Sequence, residues 1–387
     1  MEHHTQVELS RKVLAHIAAG TTDLATETAV IPVSAFASEE ILAGEVASLF
    51  RNYPQVVCLS CQIPDVGDFV TEDHGGVPII VVRGKDGKVR AFLNVCRHRG
   101  ARVAEGHGNA KRSFTCPYHA WSYTLEGGLS GVPHGKQAFP EMDKACYSLQ
   151  SLPCEEKYGM IFVTPKVIAE ALDVDVHLSG LGADLGAYGF ENYHHYETRE
   201  LTLKFNWKLV IDTFLEPYHF AVLHRETVGP IFIPNLCLFD GFGLNLRETL
   251  PRRTIVELNE QPESDWDLVK HTAMVYVLFP NTVVVMQADH LETWRVYPVP
   301  GKPDECVTCL DFYIPEPADT ESAKRHWERN MDLTIRTVAE EDFPTMAGIQ
   351  RGLLSGAQES VIIGRNEPAL IHWEQACAKA LLDSRKQ

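Results

Sequence analysis

Two short motifs in this sequence, each pairing one cysteine with one histidine, constrain the fold more than any other feature. Cys96 and His98 are separated by one residue, and Cys116 and His119 follow after a spacer of seventeen residues. Two cysteines and two histidines can hold a single zinc ion, but zinc modules usually place both cysteines before both histidines. Here each motif offers one thiolate and one imidazole, which is the arrangement needed by a two-iron cluster in which one iron takes both thiolates and the other both imidazoles. The order of the ligands therefore favours an iron–sulfur cluster over zinc.

The residues around these motifs have the pattern of short β-strands. Runs such as VPIIVVRG, VRAFLNV and GMIFVTP are rich in β-branched and aromatic residues, and glycine-containing turns such as Asp86-Gly87 separate them. We therefore predict a small antiparallel β domain over residues 55–165, with both motifs at the ends of strands.

The rest of the chain has the pattern of a larger domain that mixes helices with strands. Runs such as TAMVYVLFP, TVVVMQA and LETWRVYPV follow one another at close intervals, as in an antiparallel sheet. We predict an α+β fold in which this sheet is flanked by helices, over residues 166–387, with a weakly patterned linker over 166–193. Residues 1–54 are expected to form a helical segment that packs on this domain. Helices are predicted over residues 7–19, 38–51, 207–224, 317–340 and 367–383.

The predicted helix over residues 207–224 carries a second pair of histidines. His219 and His224 are five residues apart, so both can point inward only if the helix is locally distorted. A ferrous iron that activates dioxygen is held by two histidines and one carboxylate on one face of the metal. The carboxylates available from the sequence are Asp212, Glu216 and the run Glu340-Glu341-Asp342.

Both constellations resemble the signatures of the catalytic (alpha) subunits of Rieske non-haem iron ring-hydroxylating oxygenases. The segment CPYHAWSY matches the aromatic surroundings of the Rieske motif, and N-W-K followed by an acidic residue and Y-H-x4-H matches the second signature. The resemblance implies a [2Fe-2S] cluster and a mononuclear Fe(II), with the third iron ligand taken from an acidic run in a late helix. The cluster ligands it implies are Cys96, His98, Cys116 and His119, and the iron ligands are His219, His224 and Asp342.

The same resemblance adds Glu216 and Tyr218 as candidate catalytic residues. In the family, an acidic residue three positions before the first iron histidine reaches toward a Rieske histidine of the neighbouring subunit, and Glu216 occupies that position. A carboxylate between two imidazoles fixes the orientation of both. This chain departs from the family pattern at Glu216, where aspartate is commoner, and at Ala120, where glycine is usual.

The function that the resemblance implies is that of a terminal oxygenase component. It would use O2 and electrons from a reductase to hydroxylate, singly or as a cis-diol, an aromatic or similarly apolar substrate. O- or N-demethylation, including that of small quaternary amines, stays open because pocket shape and not the motifs selects the reaction. A Rieske electron-transfer protein without catalysis is an alternative of another class, but such a carrier needs little beyond the β domain.

The partners follow partly from the resemblance and partly from composition. The family implies a homotrimer, or an assembly with a small beta subunit, served by an NAD(P)H-dependent reductase with or without a ferredoxin. No G-x-G-x-x-G motif follows a predicted strand, so electrons are expected from another protein. A formal net charge of -17 argues against a nucleic-acid partner, because phosphates require a basic surface. The chain shows neither a membrane-spanning apolar run nor a secretory signal, so we expect a cytoplasmic protein.

Residues that contact the substrate are harder to choose. Candidates for a pocket lining, which could equally be ordinary core residues, are Met274, Tyr276, Leu278, Phe279 and Val284. Arginines that could meet an anionic substrate or a redox partner, although a solvated face is the simpler interpretation, are Arg247, Arg252 and Arg253.

Overall fold

Antiparallel strands build the sheets of the computed structural model, which describes residues 1–384. The strands are β1 (Ala29–Pro32), β2 (Gln55–Leu59), β3 (Asp68–Glu72), β4 (Ile79–Arg83), β5 (Val89–Leu93), β6 (His107–Asn109), β7 (Ser113–Thr115), β8 (Ser122–Thr124), β9 (Leu129–Gly131), β10 (Ser151–Leu152), β11 (Cys154–Lys157), β12 (Met160–Val163), β13 (His194–Leu203), β14 (Leu238–Phe242), β15 (Asn245–Pro251), β16 (Thr272–Leu278), β17 (Thr282–Met286), β18 (Leu291–Val299), β19 (Lys302–Ile314) and β20 (Ser360–Ile363). The α-helices are α1 (His3–Ala19), α2 (Ser34–Ala37), α3 (Glu39–Asn52), α4 (Gly135–Ala138), α5 (Val174–Leu178), α6 (Gly182–Gly186), α7 (Trp207–Asp212), α8 (Glu321–Ile335), α9 (Phe343–Leu354) and α10 (Pro368–Ser384). This mixture is the predicted α+β class.

The chain divides into two compact units. The smaller unit comprises Phe50–His177 and Gly189–Asn192. The larger unit comprises Met1–Leu49, Leu178–Tyr188 and the residues from Tyr193 onward. These divisions lie a few residues from the boundaries predicted at 54/55 and twelve residues from those at 165/166. The predicted linker is also more ordered than its pattern indicated, because it contains α5 and α6.

Three small sheets form the smaller unit, in the orders β10-β5-β4-β3-β6, β11-β12-β2 and β7-β8-β9. The first cysteine–histidine motif lies on the loop between β5 and β6, and the second lies between β7 and β8. Both cysteines are buried in one apolar cluster that includes Phe92, Phe114 and Tyr123. The sheets therefore hold the two motif loops on a common core.

One seven-stranded antiparallel sheet, in the order β13-β19-β18-β17-β16-β15-β14, forms the centre of the larger unit. Every residue of β16 and β17 is buried, which explains their continuous apolar sequences. Helix α7 packs on β18 and β19, α10 packs on β14 and β15, and α1 also packs on β14. Residues 1–49 thus belong to the unit built on this sheet.

Most of the predicted helices are present. Helices α1, α3 and α10 confirm the predictions over residues 7–19, 38–51 and 367–383. The helix predicted over 317–340 starts later and continues further, because α8 passes through a π-helical segment, Arg336–Asp342, directly into α9. Pro344 is the second residue of α9 and directly follows the π-helical segment. Within residues 1–384, no helix is both long and apolar enough to cross a membrane.

Candidate metal centres

The two motif loops of the smaller unit are closed in the same way. In each loop the fourth residue after the cysteine donates its N–H to the cysteine carbonyl, and the cysteine N–H donates to the carbonyl of the fifth. These N···O distances are 3.0 and 2.7 Å around Cys96, and 3.0 and 2.8 Å around Cys116. The fourth residue has a left-handed backbone in both loops, with φ of 82° at Gly100 and 57° at Ala120. Ala120 is therefore the strained member of the pair, because glycine adopts this conformation freely and alanine does not.

The cysteine side chains lie at the buried end of the two loops. Cys96 is 2% exposed and Cys116 is 3% exposed. The hydroxyl of Tyr123 lies 3.3 Å from the Cys96 sulfur and accepts a hydrogen bond from the N–H of Arg97 at 2.9 Å. Burial raises the pKa of Cys116, and the neighbouring Cys96 thiol adds to that shift. Two thiols placed side by side without a disulfide fit a shared metal.

The two histidines lie together in a similar way. The ring centroids of His98 and His119 are 4.6 Å apart, and His98 stacks on Trp121 at 4.8 Å. Burial lowers the pKa of His98, and the nearby His119 lowers it further. This shift favours the neutral form that a metal ligand needs. Its Nδ1 atom is buried and has no hydrogen-bond partner in the described structure. An unpartnered buried nitrogen in this position is available to a metal.

The spacing of these four side chains decides between zinc and a two-iron cluster. A single tetrahedral zinc with bonds of about 2.0–2.3 Å would hold all four donor atoms within about 4 Å of one another. Among residues 1–384, no three of these four donors lie within 4.8 Å of one another. The thiols and the imidazoles instead form two separate pairs. This arrangement fits one iron per pair and not a single zinc ion.

The second site lies in the larger unit and brings together the three predicted iron ligands. Nε2 of His219 lies 3.1 Å from Nε2 of His224. Oδ1 of Asp342 lies 3.1 Å from the same His224 atom and 3.5 Å from the His219 atom. Three cis ligands at about 2.1 Å from one metal are about 3.0 Å apart. The Asp342 Oδ1 atom is buried without a hydrogen-bond partner in the described residues, so the triad fits a facially bound divalent metal.

Two further carboxylates hold the outer nitrogens of these histidines. Glu216 contacts Nδ1 of His219 and accepts a hydrogen bond from its backbone N–H at 3.0 Å. Glu341 lies 2.6 Å from Nδ1 of His224 and also accepts from the Thr227 hydroxyl at 2.7 Å. Burial alone would lower the pKa of His224, but Asp342 and then Glu341 raise it overall. Both carboxylates fix the ring orientation that directs Nε2 into the site.

The structure distinguishes among the acidic residues that the sequence offered as the third metal ligand. Asp342 joins the triad, Glu341 supports His224, and Glu340 is exposed. Consecutive residues of a regular helix point about 100° apart, and the wider π-helical turn of Arg336–Asp342 lets Glu341 and Asp342 serve one site. Asp212 lies elsewhere in the core. Burial raises its pKa, and the charge of the neighbouring Glu374 raises it further. Sequence analysis missed the role of Glu341, although a ligating histidine without a partner for its second nitrogen was a usable signal.

The helix predicted over residues 207–224 is wrong beyond Asp212. Helix α7 ends there, and turns carry both histidines. A Cβ atom on Gly229 would lie 2.7 Å from the carbonyl oxygen of His224 and 2.8 Å from that of Phe220. The chain after the second histidine therefore folds back against the turn itself. This close approach, which the helical spacing of the apolar residues concealed, replaces the local helix distortion that the sequence predicted.

A cavity of about 310 Å³ opens onto the triad, with His224 and Asp342 in its wall. Its apolar lining includes Phe214, Phe220, Val228, Phe232, Val275 and Val285. The predicted lining residues Met274, Tyr276, Leu278, Phe279 and Val284 are core residues and do not line this cavity. Successive strand residues face opposite sides of a sheet, so the neighbouring residues of β16 and β17 line it instead.

Three more predicted residues are placed differently from expectation. Tyr218 is 63% exposed and has no hydrogen bond to the triad among the described residues. Arg252 lines the cavity, against the solvated face that we favoured for it. Arg247 is buried and pairs with Asp184 and Asp240, so it is structural, while Arg253 is exposed.

The fold and the two sites define a protein that joins an iron–sulfur domain to a domain with a mononuclear metal site. The family model for the Rieske [2Fe-2S] domain matches residues 53–153, and that for the ring hydroxylating alpha subunit (catalytic domain) matches residues 190–383. The chain therefore belongs to the ring-hydroxylating alpha-subunit family of Rieske non-haem iron oxygenases. The cofactors of these two domains are a [2Fe-2S] cluster and a mononuclear iron.

Individual relatives differ in their substrates. The carnitine monooxygenase oxygenase subunit of Escherichia coli (strain K12) is 33% identical over 205 residues, which are 51% of this chain and 53% of the relative. The biphenyl 2,3-dioxygenase subunit alpha of Rhodococcus jostii (strain RHA1) is 38% identical over 143 residues, which are 37% of this chain and 31% of the relative. The chain thus spans about half the length, or less, of these curated relatives.

A solved structure of a quaternary ammonium Rieske monooxygenase, described for carnitine oxidation by gut microbiota and for inter-subunit electron transfer, has the same fold. It matches with a TM-score of 0.77 at 21% identity and covers 94% of this chain and 96% of that chain. At this identity the likeness establishes the fold and leaves the substrate open.

Proposed function

We propose that this protein is the terminal oxygenase component of a Rieske system and hydroxylates an aromatic or similarly apolar substrate with O2. The observation that carries the proposal is the position of the triad. His224 and Asp342 form part of the wall of a cavity whose remaining lining is mostly apolar. A metal held on one face by three side chains keeps its other positions open toward that cavity.

In this proposal each unit holds one metal group. Cys96 and Cys116 bind one iron of the cluster, and His98 and His119 bind the other. The mononuclear iron is bound by His219, His224 and Asp342. When bound, the cluster supplies single electrons and the mononuclear iron supplies dioxygen activation.

The surrounding residues position these ligands and exclude water. Glu341 holds His224, and Glu216 holds His219, each through the ring nitrogen that faces away from the triad. Phe214, Phe220 and Phe232 line the cavity and offer flat apolar surfaces to a substrate ring. An apolar lining keeps bulk water from the reacting atoms and so protects reactive species from side reactions.

Electrons reach the protein from an NAD(P)H-dependent reductase, with or without a ferredoxin, and the working assembly is a homotrimer. Glu216 would then link His219 to a cluster-binding histidine of the neighbouring subunit. Two observations support this role: its carboxylate already contacts His219, and the related monooxygenase is described for inter-subunit electron transfer.

Oxidative removal of an alkyl group from a quaternary amine is the second candidate reaction. It is supported by the similarity to the carnitine monooxygenase subunit of Escherichia coli. The same aromatic side chains that suit an arene also suit a trimethylammonium group, because a cation is attracted to the face of an aromatic ring.

Turnover by the purified holoenzyme with a matching reductase tests the proposal. Substrate-dependent O2 uptake and product analysis would be measured with arenes, aromatic carboxylates, methyl ethers and quaternary amines. Hydroxylated arene products support the first reaction, whereas formaldehyde or another aldehyde from an amine supports the second. Loading of both metal groups without substrate-dependent O2 uptake for any of these classes would reject the oxygenase function.

A further inference from the structure

The backbone of Arg252 is fixed at the edge of the cavity. It follows the last residue of β15, and its N–H donates to the carbonyl of His271 at 2.7 Å. An isolated antiparallel bridge pairs it with Phe232. The guanidinium carbon lies 5.4 Å from the centroid of the Phe232 ring, so the cation rests on one of the aromatic rings that line the cavity.

The guanidinium of Arg252 has neutral partners. Its Nη2 donates to Oε1 of Gln287 at 2.7 Å, and its Nε donates to the carbonyl of Thr272 at 3.4 Å. Among the described residues no carboxylate forms a salt bridge with it, although that of Asp289 acts on its charge from beyond 4.0 Å. A guanidinium has five N–H donors, so donors remain beyond these two contacts. The arginine is thus a cation in the cavity wall with free N–H donors and no carboxylate in salt-bridge contact.

The other charged groups of the cavity wall are already paired with one another. His290 donates to Asp289 at 2.8 Å and lies 3.2 Å from Glu292. His326 lies 2.9 Å from the second Asp289 oxygen. Glu292 also accepts from Trp294 at 3.0 Å and from Thr334 at 2.8 Å. Glu292 is therefore held by its own partners, and Asp289, which is shared with two histidines, offsets the charge of Arg252 only in part.

We propose that Arg252 and Gln287 form the carboxylate-binding end of the substrate cavity. The substrate then carries a carboxylate on an apolar or aromatic body, with the carboxylate at Arg252 and the body against the phenylalanines beside the triad. Gln287 uses its oxygen to accept from Arg252, so its amide N–H groups are left as additional donors. A partly buried guanidinium without a salt bridge gains most from an anion that it can bind through two parallel hydrogen bonds.

This inference rests on the proposed function only in taking the cavity as the substrate site. Carboxylates on an arene and carboxylates on a quaternary-ammonium chain would both satisfy it. Binding and turnover are therefore measured separately, so that the carboxylate site and the oxygenase function can be rejected independently.

The test measures equilibrium binding to the anaerobic holoenzyme by calorimetry. The probes are 4-methylbenzoate with 4-methylbenzamide, and 4-(trimethylammonio)butanoate with its amide. Each pair keeps the body and removes the charge. We expect at least one carboxylate to bind about 10- to 100-fold more tightly than its amide, as for a charge-assisted hydrogen-bond pair. Which pair shows the preference identifies the body.

Three variants locate the effect. Arg252→Gln should abolish the preference for the carboxylate and leave amide binding unchanged, and Arg252→Lys should retain part of it. Arg253→Gln is the matched control, because Arg253 is exposed and bonds to the Pro230 carbonyl, and it should behave as the wild type. Equal binding of acid and amide in the wild type, or an undiminished preference in Arg252→Gln, would overturn the inference. If the enzyme turned over neutral substrates only, the result would support the proposed oxygenase function and contradict the carboxylate-binding site.

Discussion

Glu341 holds the outer nitrogen of His224 at 2.6 Å, immediately before the residue that completes the metal triad. The two neighbouring acids therefore act on the same histidine from opposite sides, one at Nδ1 and the other at Nε2. Such a partner keeps a ligating imidazole in one tautomer and one orientation, and its loss typically weakens metal binding.

Glu341→Gln should weaken binding of the mononuclear iron by about 10- to 100-fold and leave the cluster spectrum unchanged. The amide has a similar shape but no charge to stabilise the imidazole. The measurement is Fe(II) titration of protein stripped of mononuclear iron. Glu340→Gln is the matched control, since Glu340 is exposed; equal iron affinities in both variants would show that Glu341 does not position His224.

The two metal groups should be lost independently. Asp342→Ala removes one of three ligands and should empty the mononuclear site, while visible absorption of the cluster stays intact. Cys116→Ala should instead remove the cluster absorption, because each cluster ligand supplies one of only four protein bonds. Iron content and absorption spectra of both variants check this. A full cluster spectrum in Cys116→Ala would show that the smaller unit is not an iron–sulfur site.

Glu216→Gln should keep both metal groups but slow a single turnover by about 10- to 100-fold, since it removes a charge that contacts His219 and breaks no metal bond. Rapid mixing of reduced enzyme with O2 and substrate measures the rate. Glu226→Gln, at a position whose side chain is 79% exposed, is the control in the same segment. Wild-type rates in Glu216→Gln with intact metals would eliminate its role between the sites.

Ala120→Gly should raise the stability of the smaller unit by up to about 1 kcal/mol. A left-handed backbone costs a residue with a Cβ about 1–2 kcal/mol, and part of that gain is lost to the greater freedom of glycine in the unfolded chain. Gly100→Ala is the mirror experiment, because a Cβ at Gly100 would meet nothing within 4 Å and only the backbone would be strained. Thermal unfolding followed by loss of cluster absorption should move in opposite directions in the two variants.

Glu248 gives the stability a pH dependence. Its carboxyl oxygens are buried without a hydrogen-bond partner among residues 1–384, and burial raises its pKa to about 8. Between the ordinary pKa of a glutamate and pH 8, the folded protein keeps a proton that the unfolded chain has lost. Folding stability therefore falls as pH rises through this window, by at most about 1.4 kcal/mol per pH unit.

Glu248→Gln removes this titration. The variant should gain stability relative to the wild type as pH rises from about 5 to about 8, and the difference should level off above that. Unfolding midpoints of both proteins across this range provide the comparison. A difference that does not change with pH would mean that the folded carboxyl ionises normally.

The cysteines and histidines of both candidate metal sites could be proposed from sequence because they lie in short motifs, whereas Asp342 was chosen from the family resemblance. Each motif places one cysteine and one histidine on a single short loop, so the four residue types and their spacing can be read directly from the sequence. Runs of β-branched and aromatic residues likewise predicted many of the strands. Nothing local, however, distinguished Glu340, Glu341 and Asp342 from one another.

The tertiary structure alone decided how distant segments meet. His224 and Glu341 are 117 residues apart in sequence, and only the π-helical segment and the turn at Gly229 bring them into contact. The same holds for the cavity: a shift of one residue along β16 and β17 exchanges core side chains for lining side chains. Arg252 has an ordinary solvated pattern in sequence, and it becomes a cavity cation because β15 ends beside Phe232. Local spacing fixes which atoms can bind, whereas packing fixes which of them converge.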